Sequence, residues 1–292
     1  MDERIADLPC WTGEIEGRRL SGGLSNEIWW VRDVKGSHVV RLGPDYPFHH
    51  VFRAREAMTA IAAARAGFGP AVEWVAPGVM VTAFIQSRTW SAADVAREPE
   101  RVARLLRDFH DRMGREVEGA AFLFWVFHVI RDYGRTLTDA GSEFAPRVPD
   151  WLTLADRLES AQVPLPLVLG HNDLLPANIL DDGARLWLID YEYAGFSTAM
   201  FDLAGAASNS GMAPEAAKDL LGTYFGRRPE PALQRAFDAM QCASLLREAM
   251  WAMVSALYLS APGVDYPTYA RENLARLAQS LDVFQSRHGK LS

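Results

Sequence analysis

Up to about residue 85 the apolar positions come in short β-branched and aromatic runs separated by turn residues. "EIWWVRD" (27–33) and "SHVVRLG" (37–43) read as two strands around a "DVKG" turn, and "AVEWV" (71–75) and "VMVTAFI" (79–85) as two more around Pro77-Gly78. Between the pairs, residues 51–67 are Ala-rich and stop at a glycine, which predicts a helix. "GRRLSGG" (17–23) is placed to add a fifth strand. Beyond residue 85 the period lengthens. Residues 91–113 carry Val102, Leu105, Leu106 and Phe109 at helical spacing, and further helices are predicted over 122–137, 151–161, 214–225, 231–259 and 266–287. One β insertion interrupts them: "LVLG", "ANIL" and "RLWLID" read as short strands, with Asp182-Gly183 as a hairpin turn. The pattern predicts an α+β chain, a small antiparallel β-lobe over 1–85 and an α-rich lobe over 86–292, linked near 83–89.

The insertion carries the chemistry. "LVLGHNDLLPANILDDGARLWLIDYEYAG" (167–195) sets His171, Asp173, Asn178 and Asp190 among buried strands, where ionised carboxylates are costly unless paired. The spacing H-x-D-x-x-x-x-N is that of the catalytic loop of kinase-like phosphotransferases. There an Asp accepts the acceptor's hydroxyl proton, an Asn turns its amide oxygen toward a Mg²⁺, and a further acid after a hairpin holds the metal on the phosphates. Asp173 alone reads equally as an Asx turn; Asn178, Asp190 and the hairpin between them favour the phosphotransferase reading. His171 is a proton donor or a packed histidine that braces the loop, the second being the commoner role. Asp202, in "MFDLAGAAS", caps the following helix or accepts backbone N–H groups from the loop, a structural role either way.

In "LSGGLSNEIWW" (20–30), Gly22 and Gly23 would let backbone N–H groups approach phosphate oxygens, with Ser25 and Asn26 as added donors. The stretch is neither a Walker loop nor GxGxxG, and Gly-Gly is also an ordinary hairpin turn. Arg41 on the second strand and Glu56 on the helix could form a phosphate-contacting pair. Against that stand solvated surface charges, Glu73 as a rival acid, and Arg53 or Arg55 as rival partners.

Composition narrows the classes. With 292 residues the chain needs no disulfide or metal to hold its core. A net charge of −7 excludes nonspecific nucleic-acid binding. Cys10 and Cys242 are far apart, so neither a disulfide framework nor a zinc site is expected, which suits a reducing, cytoplasmic setting. The start, "MDERIADLPCW", lacks a signal-peptide pattern, and the longest apolar run (120–130) is too short to span a bilayer and is broken by His128.

"HNDLLPANIL" with "LIDYEYAG" resembles the choline/ethanolamine kinase family, in the aminoglycoside-phosphotransferase-like branch of the protein-kinase fold. "SGGLSNEIW" is similar to that family's nucleotide loop, "VVRLG" to its phosphate-contacting strand, "VTAFIQSRTW" to its hinge, and residues 247–270 to its acceptor-pocket segment. The resemblance implies a bilobal protein-kinase-like fold that uses ATP and Mg²⁺ to phosphorylate the hydroxyl of choline, ethanolamine or a related amino alcohol. It implies Asp173 as base, Asn178 and Asp190 as metal ligands, Arg41 and Glu56 as the phosphate pair, and Glu192 near the metal or the acceptor. Trp251, Tyr266 and Tyr269 would line the acceptor pocket, with Tyr193 and Glu248 beside them. Cation–π contacts to such rings suit a quaternary ammonium, although Trp251 by pattern alone reads as core on an apolar helix. Two departures alter that pocket. Glu248 stands where the eukaryotic members carry a second Trp, and Asn209 where they carry a Glu. Kinases for an aminoglycoside, a thiamine-like compound or a sugar alcohol, and a non-catalytic nucleotide-binding protein, are the alternatives.

Overall fold

The computed structural model describes residues 2–20, 26–120, 122–260 and 264–291. A single-turn helix α1 (Glu3–Ala6) leads into strands β1 (Glu16–Leu20), β2 (Glu27–Arg32) and β3 (Ser37–Leu42). Helix α2 (Arg53–Ala66) follows, then β4 (Val72–Ala76) and β5 (Val79–Ala83). The five strands form one antiparallel sheet in the order β1-β2-β3-β5-β4, as their alternation predicts. β3 is its central strand, pairing Arg41 with Ile28 on one side and Met80 on the other. Val31, Val40, Leu42 and Val81 pack with Ile5 on one face. Gly67 ends α2 in the left-handed region, at φ +80°, as its place in the sequence predicts.

The larger lobe begins with β6 (Arg88–Thr89). The single helix expected over 91–113 is two, α3 (Ala92–Arg97) and α4 (Pro99–Glu116), because Pro99 cannot continue α3 and instead opens α4 at its first turn. α4 buries Val102, Leu106 and Phe109 of the predicted stripe, together with Met113, while Leu105 is only half-buried. α5 (Val126–Asp139) starts later than expected. Residues 122–124 are claimed by strand-like pairing: Phe124 N donates to Phe196 O and Phe196 N to Phe122 O. α6 (Val148–Ser160) completes the first helical layer.

The insertion is then built as β7 (Leu167–Gly170), a one-turn 3-10 helix (Pro176–Asn178), β8 (Ile179–Asp181), β9 (Leu186–Leu188) and β10 (Gly195–Thr198). β8 and β9 form the expected hairpin, with Gly183 at φ +89°; β6 joins the edge of β8, and β10 pairs with β7. Four helices close the lobe: α7 (Ala199–Ser210), α8 (Pro214–Phe225), α9 (Pro231–Tyr258) and α10 (Tyr266–His288). α9 spans 28 residues, roughly 40 Å, and is buried over most of its length, which makes it the axis of the lobe. Among the described residues no helix is long and apolar enough to cross a membrane.

Candidate active site

The loop between β7 and β8 is fixed from behind. Asp202, in the first turn of α7, accepts the backbone N–H groups of His171 and Asn172, each at 2.7 Å. It also takes a 2.8 Å hydrogen bond from His110 Nε2, whose Nδ1 lies 2.8 Å from Tyr224 Oη. Of the two roles open to Asp202, the structure shows the loop-binding one, from inside the helix rather than at its cap. Burial alone would raise its pKa; the hydrogen bonds from His110 and the His171 amide hold it below the usual carboxylate range. Asn172 adopts the left-handed conformation (φ +61°) and its side-chain amide reaches the carbonyls of Gly170, Tyr193 and Gly195. His171 is buried and donates from Nε2 to Ile189 O at 2.9 Å, so it braces the backbone just ahead of Asp190.

These supports bring the predicted trio together. Asn178 Nδ2 donates to Asp173 O at 2.9 Å and lies 3.3 Å from Asp173 Oδ2. Ile189 N donates to Asn178 O, and the next residue, Asp190, sits at φ +68°, a strain that Asp tolerates better than most residues. Asp190 Oδ1 is buried without a hydrogen-bond partner. Burial, with the charges of Glu192, Glu56 and Asp173, pushes its pKa well above the carboxylate range. Asp173 is pushed up to about 7 by burial, eased by Arg247 and reinforced by Glu248 and Glu192. Clustered acids of this kind cost stability unless a cation joins them. The donor set around Asp190 and Asn178 is all oxygen, which suits a hard cation such as Mg²⁺. Among the described residues no three acidic, His or Cys side chains form a self-contained metal cage.

The small lobe supplies the opposite sign. Arg41 Nη2 lies 3.0 Å from Glu56 Oε2, both side chains being buried, while Arg41 Nε and Nη1 have no partner. Glu56 is not exclusive to Arg41: Arg53 Nη1 also reaches it, at 2.8 Å, and extends to Glu192 Oε2 at 2.9 Å. Glu73, the rival acid, is engaged elsewhere, with His38. Asn26 accepts from Arg53 Nη2 at 2.6 Å and donates to Glu192 at 3.2 Å. Gly22, Gly23 and Ser25 lie outside the described residues.

On the far side of Asp173 the residues assigned to the acceptor pocket do meet. Trp251 Nε1 donates to Tyr193 Oη at 2.9 Å, and Tyr266 and Tyr269 stand edge-to-face to the indole at 5.9 and 6.1 Å. Tyr269 Oη lies 3.3 Å from Glu248, and Asn209 holds the loop through a 3.3 Å bond to Leu174 O. Two residues went unnoticed in the sequence. Arg247 pairs with Glu248, approaches Asp173 at 3.6 Å and lies 4.3 Å over the Tyr193 ring. His49 stacks on Trp251 at 5.3 Å while bonding Tyr133 and Ser255. The Arg247-Glu248 dipeptide, two charges on the buried face of an apolar helix, was the signal for the first; His49 offered none.

A five-stranded lobe bearing a buried Arg–Glu pair, a braced Asp–Asn loop and an acid after a hairpin define a protein-kinase-like fold of the small-molecule phosphotransferase kind. The family model for choline/ethanolamine kinase matches residues 18–210. The chain belongs to the choline/ethanolamine kinase family, whose members are ATP-dependent phosphotransferases acting on alcohols. It is 27% identical over 208 residues to the Arabidopsis thaliana protein named "Probable ethanolamine kinase", a match over 63% of this chain and 54% of that protein, about half of the relative's length. The structure of a choline/ethanolamine kinase family protein from Mesorhizobium loti superposes with a TM-score of 0.77 at 29% identity, covering 98% of this chain and 95% of that one. Choline kinase LicA from Streptococcus pneumoniae shares the fold, with a TM-score of 0.74 at 17% identity over 95% of this chain and 97% of that one.

Proposed function

We propose that the protein transfers the γ-phosphoryl group of ATP to the hydroxyl of choline, ethanolamine or a related amino alcohol. In this reading residues 1–85 bind the nucleotide and residues 86–292 carry the catalytic loop and the acceptor. Asp173 orients the acceptor hydroxyl and takes its proton; a carboxyl raised toward neutrality is suited to that exchange. Asn178 and Asp190 would hold Mg²⁺, which would offset the charge of the phosphates. Arg41, kept in place by Glu56, offers its two unpartnered nitrogens to the phosphates, and Gly22, Gly23, Ser25 and Asn26 are assigned as further donors to them. Trp251, Tyr193, Tyr266 and Tyr269 enclose the acceptor, with Glu248 as its nearby charge, while Glu192 pairs with Arg53 on the nucleotide side. A cytoplasmic setting, rich in MgATP, agrees with the free thiols of Cys10 and Cys242.

The observation that carries the reading is the pairing of two unmet needs in one cleft. Asp190 Oδ1 is buried without a partner and so are Arg41 Nε and Nη1; a cation-bound polyphosphate satisfies both at once. A second reading, a kinase for a different hydroxyl compound, is favoured by one feature. Arg247 already occupies a face of Tyr193 that a quaternary ammonium would use. ADP release measured across choline, ethanolamine, an aminoglycoside, a thiamine-like alcohol and a sugar alcohol separates the two. If choline and ethanolamine are inert while another compound turns over, the amino-alcohol assignment falls. Asp173→Ala is expected to lower kcat by about 10²–10⁴-fold; equal rates in variant and wild type would remove Asp173 from the chemistry.

A further inference from the structure

Four charged side chains of alternating sign run from the phosphate strand to the metal loop: Arg41, Glu56, Arg53 and Glu192. Their contacts are 3.0, 2.8 and 2.9 Å, and all four are buried. We infer that Arg53 is a positioning residue for phosphoryl transfer: it fixes Arg41, the end of the glycine-containing stretch and the Asp190 loop relative to one another. The inference rests on the phosphotransferase reading above.

Each nitrogen of the guanidinium has a separate task. Nη1 is shared between Glu56 on its own helix and Glu192 in the other lobe. Nη2 donates to Asn26 Oδ1 at 2.6 Å, three residues after Gly23 in the chain. Nε donates to Pro44 O at 2.8 Å, and the Arg53 amide to Asp45 Oδ1 at 2.7 Å, which locks the start of α2 to the strand end that carries Arg41. Gly43 leaves room for this junction. A Cβ there would lie 2.4 Å from Asn26 Oδ1 and 3.3 Å from Arg53 Nη2. Only a planar, multiply donating cation meets these demands together; a lysine keeps the charge and loses the fork. Phosphoryl transfer depends chiefly on placement and electrostatics, and a misplacement of about 1 Å can cost about 10²-fold in rate. A residue that ties the three phosphate-handling parts together therefore acts on kcat and on nucleotide affinity, and leaves acceptor affinity alone.

The test compares wild type, Arg53→Lys, Glu192→Gln and the double variant. Readouts are kcat and KM for MgATP and for the acceptor, and Kd for MgADP by calorimetry. Arg53→Lys is expected to lower kcat/KM for MgATP by about 10–100-fold and to weaken MgADP binding by about tenfold, with acceptor KM within about threefold of wild type. Glu192→Gln should act in the same direction, and the double variant should be no worse than about threefold below the poorer single variant, because both remove one connection. Wild-type MgADP affinity and kcat/KM in Arg53→Lys, losses that multiply in the double variant, or a loss confined to acceptor KM would each overturn the assignment. Should Arg53→Lys fail to fold, Glu192→Gln, which keeps the size of the side chain and removes the charge that pairs with Arg53, decides by the same kinetic criteria. A wild type that neither binds MgADP nor transfers phosphate sinks the phosphotransferase reading itself, whereas normal wild-type behaviour with an indifferent Arg53→Lys sinks only the role of Arg53.

Discussion

Substituting Asp202 by Asn should damage the catalytic loop from behind, without touching any residue that faces the cleft. The carboxylate is fully enclosed, and it accepts two backbone N–H groups at 2.7 Å and His110 Nε2 at 2.8 Å. Asn keeps one acceptor oxygen and turns an NH₂ toward groups that are themselves donors, so at least one buried N–H loses its partner, at about 1–3 kcal/mol. Breaking the buried contact with His110 brings the total to about 3–5 kcal/mol. With an unfolding entropy of roughly 2 cal/mol/K per residue, a chain of this length should lose about 5–8 °C in Tm. The pH dependence has a definite sign. The pKa of Asp202 is depressed in the folded protein. Its contribution is therefore complete above the ordinary aspartate value of about 3.9 and is lost as pH falls below that toward the lowered native value. Differential scanning fluorimetry from pH 8 to pH 3.5 should show a constant gap between wild type and Asp202→Asn down to about pH 5, closing below about pH 4. The variant should also lose kcat, because His171 and Asn172 hand the position of Asp173 to Asp202. A gap under about 1 °C at pH 7 with unchanged kcat would refute the role of Asp202 as the loop's anchor.

Asp190→Asn should separate function from stability. The charged form of Asp190 is disfavoured by the fold, so removing the charge should raise the ligand-free Tm, by the equivalent of about 0.5–2 kcal/mol. The stabilisation by MgATP, about 2.7 kcal/mol for wild type at a hundredfold excess over Kd, should vanish; an undiminished MgATP shift would count against Asp190 as a metal ligand. His38 bridges Asp33 at 2.9 Å and Glu73 at 2.5 Å beneath the sheet, and although burial opposes it, the two carboxylates raise its pKa. Its contribution is fully present below the ordinary histidine value near 6.5 and lost as pH rises through the raised native value. Between pH 6 and pH 9 wild type should therefore lose Tm relative to His38→Gln, and parallel curves would contradict the bridge.

What the sequence disclosed follows from how local each feature is. The Asp173–Asn178 contact spans five residues, and the hairpin that delivers Asp190 is encoded by its own turn, so spacing alone exposed both. Helices α8, α9 and α10 were legible because a proline stands in the first turn of each, at Pro214, Pro231 and Pro267, and apolar positions recur along them. The segment at 122–124 was misread as helix because its apolar run carries no mark of the β10 edge it joins. Arg53 was visible only as a competitor for Glu56, one turn away; its link to Glu192 crosses 139 residues, and that of Asn26 to Glu192 crosses 166. No local pattern encodes such contacts, and a lone Arg is rightly expected in solvent. Arg53, read from sequence only as a rival partner for Glu56, and Arg247, not read at all, both end beside acids of the cleft, 2.9 Å from Glu192 and 3.6 Å from Asp173. A fold retains buried cations at such cost only where they counter buried acids. Under the proposed function the acids at issue are those that would meet a metal-bound nucleotide and an acceptor, so the residues hardest to read from sequence are those on which the geometry of transfer would depend.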